Sequence, residues 1–191
     1  MADSSAPGPV SGLRKLSDGI ARIEAQAAGV LIFAVLVLLL ANVVSRGFGQ
    51  PLIWTDELAI YLMVMAAFAG ASQGLARRQH IAVTLLPDML GPGPRRVLDG
   101  IVDVVLLAIL LVFAWTLWRW FDPLGVLAAE DLRSYARDSF NFLYQEPTTT
   151  LGVRKIWFWL IMPLFCIASV IHVLARFGAP IPQASAAEGT A

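Results

Sequence analysis

Few side chains in this chain can do chemistry. His80, His172 and the single cysteine Cys166 are its only imidazole and thiol groups in 191 residues. A structural zinc site takes four ligands, usually Cys and His, so this set falls short. No H-E-x-x-H, Gly-rich phosphate loop or G-x-S-x-G elbow occurs. Catalysis therefore has no motif to rest on. A pair of histidines can hold haem between membrane helices. His80 and His172 do fall toward the same side of the chain, but His80 follows Arg77 and Arg78, outside any apolar block. Cys166 lies within an apolar block and has no second cysteine to pair with.

Charge gathers in one short stretch, from Ser45 and Arg46 through Trp54, Thr55, Asp56 and Glu57. Asp56 and Glu57 open an apolar block, where acidic groups complement a helix dipole, and Thr55 can cap that helix. Two readings stand: local capping beside an interfacial arginine, or an Arg46–Glu57 pair across a hairpin that sets the tilt of two helices. Further along, Asp99 and Asp103 share a face near Arg95 and Arg96, the spacing of surface ion pairs at a helix entrance.

The elements that position these groups follow from composition. Hydrophobic residues make up 58% and charged residues 15%, and mean hydropathy is +0.70. Soluble domains carry about 25% charge. The apolar residues fall in blocks of bilayer length, about 20 residues each. Spans are expected at about 25–45, 57–76, 101–120 and 155–176. The fold class is thus all-α integral membrane, with four transmembrane helices. Backbone in lipid must satisfy its own hydrogen bonds, which helices do. Pro163 is expected to kink the last span. The first block is longer than a signal-peptide core and no A-x-A site follows, so it is expected to be retained. Zero net charge gives no electrostatic case for nucleic acid.

Arg77, Arg78, Arg95 and Arg96 crowd the second loop, whereas Arg46 alone marks the first. By the positive-inside rule both termini are cytoplasmic, N-in and C-in. Trp54, Trp115, Trp118, Trp120, Trp157 and Trp159 all fall near the opposite ends of their spans, as headgroup anchors do.

The flanks sort by pattern. Residues 1–12 and 178–191 are rich in Pro, Gly, Ser and Ala and are expected to be disordered; residues 13–177 form the membrane domain. Leu13, Leu16, Ile20, Ile23 and Ala27 make an apolar stripe with Arg14, Lys15 and Arg22 off it, an amphipathic juxtamembrane helix on the inner surface. The third loop, about Phe121 to Val153, is too long for a plain connection. Ala128, Leu132, Tyr135, Ser139 and Phe142 keep helical spacing there. That describes a short amphipathic helix on the outer leaflet, or a docking surface for a periplasmic partner.

Within the second span, Ala66, Gly70 and Gly74 recur every four residues and would let another helix approach, in this chain or another. No span carries an acid at its middle or a Gly/Pro break, which transport sites commonly use. The pattern is that of a scaffold or accessory subunit.

Several segments resemble the small membrane subunit of TRAP (tripartite ATP-independent periplasmic) transporters, the DctQ type. They are Asn42–Arg46, Trp54–Tyr61, Phe68–Ala71, Arg77–Ile81 and Thr150–Val153, with Pro163 beyond. The resemblance covers roughly 30–177 and rests on order and spacing together. It implies a multi-pass protein of the bacterial inner membrane, paired with a large membrane subunit that holds the transport site. It also implies a periplasmic substrate-binding protein that delivers an organic acid, and sodium coupling in the large subunit, with no cofactor in this one. Arg46, Trp54, Asp56, Glu57, Gly70, Gly74 and His80 take structural and subunit-contact roles on this reading. Two departures stand out. Ala82, Val83 and Thr84 follow His80–Ile81 where the family often has Asp, and the third loop looks longer than usual. The alternatives are a membrane anchor for a redox enzyme, with or without haem, and a stand-alone four-helix scaffold.

Overall fold

The computed structural model describes residues 9–77 and 92–176. All of its regular elements are helical: α1 (Pro9–Gly47), α2 (Ile53–Arg77), α3 (Pro92–Phe121), α4 (Pro123–Ala128), α5 (Leu132–Ser139), α6 (Ile156–Trp159) and α7 (Ile161–Arg176). An isolated bridge between Pro147 and Arg154 is the one extended pairing among the described residues. Four stretches are long and apolar enough to cross a membrane: Gly12–Gly47, Ile53–Arg77, Val97–Ala128 and Ile156–Arg176. The first three contain the expected spans and the fourth begins one residue inside its own; the chain is a multi-pass membrane protein.

α7 is the central helix, packed on α1, α2 and α3. Its buried face is made of small and polar side chains: Cys166, Ala168, Ser169, His172, Val173 and Ala175. α2 answers with Thr55, Ala59, Ala66, Ala69, Ser72 and Leu75. Small residues let helices approach closely where lipid supplies no hydrophobic drive between them. Many large apolar residues of α1 and α3 instead point outward, among them Phe33, Leu40, Ile109 and Val112.

Three local features differ from expectation, each for a physical reason. First, α1 starts at Pro9, within the segment expected to be unstructured, and runs unbroken into the span. Pro is suited to a first helical position, where its missing N–H costs nothing. Second, the kink expected of Pro163 takes the form of a break in the last span at Leu160, between α6 and α7. Pro163 cannot donate to the carbonyl of Trp159, and its ring crowds that group, so the interruption falls one turn upstream of the proline. Third, the expected single helix of the third loop is two short ones, α4 and α5. Asp131 ends the run by capping α5, accepting from the Arg133 and Ser134 N–H groups, while Ser134 Oγ accepts from the Asp131 N–H. Tyr135 is buried as the stripe requires, but Ser139 and Phe142 are exposed.

The third loop is a folded unit. Tyr144 Oη donates to the Phe121 carbonyl at 2.6 Å, and Asn141 Nδ2 to the Trp120 carbonyl at 2.7 Å. Tyr135 Oη donates to Asp122, which sits in the left-handed region at φ 39° and caps α4. A Cβ at Gly125 would lie 2.1 Å from Asp122 Oδ2, so a larger residue there would push the capping carboxylate aside. Burial pushes the Tyr135 and Tyr144 phenols above their ordinary range.

Candidate functional site

The polar side chains of the described residues collect at the two ends of the bundle. At one end lie the start of α2, the end of α3 and the start of α6. Tyr61 stacks on Phe158 at 4.2 Å, and Trp120 meets Trp159 edge to face at 5.9 Å. α1 closes here with Gly49 at φ 73°, a conformation glycine adopts freely, and Gln50 N–H reaches the Ser45 carbonyl.

The charges of this hairpin pair differently from the sequence expectation. Arg46 Nη2 contacts Asp56 Oδ2 at 3.1 Å, and Glu57 is not its partner. Asn42, 5% exposed, joins the two: its Nδ2 donates to Asp56 Oδ1, and its Oδ1 accepts from Arg46 Nε at 3.1 Å. Glu57 turns the other way, toward the third loop. Its carboxylate accepts from the Thr149 N–H at 2.8 Å, the Thr150 N–H at 2.6 Å and Thr150 Oγ1 at 2.6 Å. One residue of register decides this. Successive helical positions are about 100° apart, so Asp56 and Glu57 cannot serve the same neighbour. Thr55 lies inside the first turn rather than at the cap, and its hydroxyl donates to the Leu52 carbonyl. Trp54 is 40% exposed at the same level. Nearby, Glu146 contacts Lys155 at 2.6 Å and holds its ammonium above the ordinary lysine range.

The opposite end is a second polar cluster, built around His172, which is fully buried. Ser17 Oγ lies 2.7 Å from its Nδ1 and Glu24 Oε2 3.1 Å from its Nε2. Gln73 donates to the Ala21 carbonyl, so α2 also grips α1. One turn beyond His172, Arg176 contacts Asp103 of α3 and donates from Nη1 to the Leu75 carbonyl at the end of α2 at 2.6 Å. Asp103 is 4% exposed, and its contact with Arg176 ties α3 to α7.

The same cluster draws in the polar side of α1. Leu16 and Ile23 are 52% and 67% exposed, while Ser17 and Glu24 turn inward. α7 presents a buried imidazole, and burying a polar group without a partner is costly, so the polar face of α1 docks. Ser17 and Glu24, seven residues apart on one helix face, were the available signal. Both imidazole nitrogens have a hydrogen-bonding partner. His80 lies outside the described residues. Among the described residues no group of three or more His, Cys, Asp or Glu could hold a metal.

Gly70 and Gly74 sit on the open side of α2. A Cβ at either would meet nothing within 4 Å. Among the described residues, then, no helix packs on the two glycines; of the stripe only Ala66 is buried, and the close approach continues through Ala69 and Ser72, with Ser72 Oγ 3.5 Å from Ser169 Oγ.

Taken together, the fold and its polar ties define a four-span helical membrane protein whose buried polar groups join helices to one another. Residues 35–181 match the family model for the DctQ component of tripartite ATP-independent periplasmic transporters, and the chain belongs to that family. It is a transporter family, not an enzyme family. Among curated relatives, the chain is 36% identical over 72 residues to a putative TRAP transporter small permease protein of Haemophilus influenzae (strain ATCC 51907 / DSM 11121 / KW20 / Rd). That match covers 37% of this chain and 45% of the relative. It is 27% identical over 95 residues to the sialic acid TRAP transporter permease protein SiaT of Haemophilus influenzae (strain 86-028NP), covering 49% of this chain and 15% of the relative. The chain therefore spans less than half the length of either relative. No solved structure matches.

Proposed function

We propose that this chain is the small, scaffolding membrane subunit of a secondary TRAP transporter, seated in the bacterial inner membrane with both termini cytoplasmic. Its partners are a large membrane subunit, which holds the substrate and ion sites, and a periplasmic substrate-binding protein. The substrate class is an organic acid and the coupling ion is sodium. Arg46, Trp54, Asp56, Glu57, Gly70, Gly74 and His80 serve structure and subunit contact on this reading.

The observation that carries the proposal is the use made of polar side chains. Asn42, Arg46, Asp56 and Glu57 at one end, and Ser17, Glu24, Asp103, His172 and Arg176 at the other, are engaged with neighbouring elements. Groups spent on holding helices together suit a scaffold. A transport site needs polar groups gathered on a substrate near the midplane.

Reconstitution tests it. Proteoliposomes holding this chain with the large subunit, supplied with loaded binding protein, should accumulate radiolabelled organic acid under an inward sodium gradient. Proteoliposomes holding this chain alone should accumulate none. Substrate flux through this chain by itself would overturn the scaffold assignment.

A further inference from the structure

The third loop contains a cleft of about 480 Å³ lined by Asp131, Leu132, Arg133, Gln145 and Arg154. Arg133 and Arg154 are exposed and make no ion pair among the described residues. The side-chain nitrogen of Gln145 is buried and has no hydrogen-bond partner. A buried donor left unpaired is costly, and such a group commonly marks an absent partner. The one acid of the lining, Asp131, is partly committed, since its Oδ1 accepts from the Arg133 and Ser134 N–H groups. Two guanidinium forks and one amide donor outnumber that single carboxylate and make a site for an oxyanion.

Depth in the membrane indicates the source of that oxyanion. Trp157 N–H bonds to the Arg154 carbonyl, so Arg154 lies within a turn of a tryptophan that is 66% exposed. Trp115 and Trp118 are exposed toward the same end of α3. Exposed tryptophans lie at headgroup level, where phospholipid phosphates are. Leu127 and Phe140, 82% and 83% exposed in the same loop, offer apolar surface for acyl chains.

We propose that this cleft binds the phosphate of a phospholipid headgroup, gripped by Arg133, Arg154 and the Gln145 amide, and so fastens the third loop to the membrane face. The inference rests on the chain spanning a bilayer and is independent of its role in transport.

The test uses the full chain, delipidated in mild detergent, with short-chain phosphatidylglycerol titrated in and adducts read by native mass spectrometry. Dioctanoylglycerol, with similar tails and no phosphate, is the control. The expected result is a phosphatidylglycerol adduct without a matching dioctanoylglycerol adduct. Arg133→Gln with Arg154→Gln should weaken it by about tenfold or more. Asp131→Asn keeps a capping oxygen and removes the opposing charge, so it should bind tighter. Equal binding by the double variant, or weaker binding by Asp131→Asn, would overturn the site. Inorganic phosphate displacing the lipid at equal concentration would assign the cleft to a free anion and overturn the lipid.

Discussion

Asp56 and Glu57 adjoin in sequence but do different work. Asp56 closes the α1–α2 hairpin through Arg46 and Asn42; Glu57 holds the 148–153 turn against the head of α2. Asn42 is the buried member of the first set, so Asn42→Ala should cost about 1–3 kcal/mol, read as thermal stability in detergent. Arg46→Ala should cost less, because that side chain is 61% exposed and its pair is screened by salt. Glu57→Ala should leave the hairpin intact and free the Thr149–Thr150 backbone. Faster amide exchange at those two residues, with no change at residues 42–46, is the expected outcome.

Helices carry the next set of consequences. α1 is anchored at its N-terminal half by His172, so His172→Leu strands Ser17 and Glu24 and should lower stability by about 1–3 kcal/mol. Adding Ser17→Ala and Glu24→Leu should recover part of that loss, which a thermal-shift cycle can measure. For α5, the N–H groups of Ser134 and Arg133 hold the Asp131 carboxyl below its ordinary value of 3.8. A lowered folded-state pKa means this cap is fully present above the ordinary value and is lost as pH falls through the lowered one. Exchange protection at the Ser134 amide should fall over that window, whereas Asp131→Asn should show no such step. On α2, Gly70→Ala meets open space and should be neutral or stabilising by up to about 1 kcal/mol in the subunit alone. Gly70→Leu should preserve the subunit yet reduce recovery of the large one if that stripe is the subunit contact.

At the scale of the whole molecule, the four spans could be read from the sequence because each must supply its own bilayer-length apolar run. The ties between spans could not. Glu57 meets its partners 92 and 93 residues away, and His172 meets Glu24 across 148. Nearness along the chain suggests Arg46 for Glu57, whereas helix phase and packing give it Thr149 and Thr150, and Arg176 reaches Asp103 from a different span. Leu16 and Ile23 lie on the apolar stripe expected at the inner membrane surface. They are exposed on a continuous α1 because the polar face of that helix is needed inside. The two tied ends leave the broad apolar walls of α1 and α3 outward, toward lipid and, on the reading proposed, toward a larger partner. The measurement that tests this most directly is a mild-detergent pull-down of the chain, tagged at its C-terminus, from its native membrane, with partners identified by mass spectrometry. Recovery of one large polytopic membrane protein in near-equal amount is the predicted result. Recovery of the chain alone, or with soluble redox subunits and a haem absorption band, would contradict it.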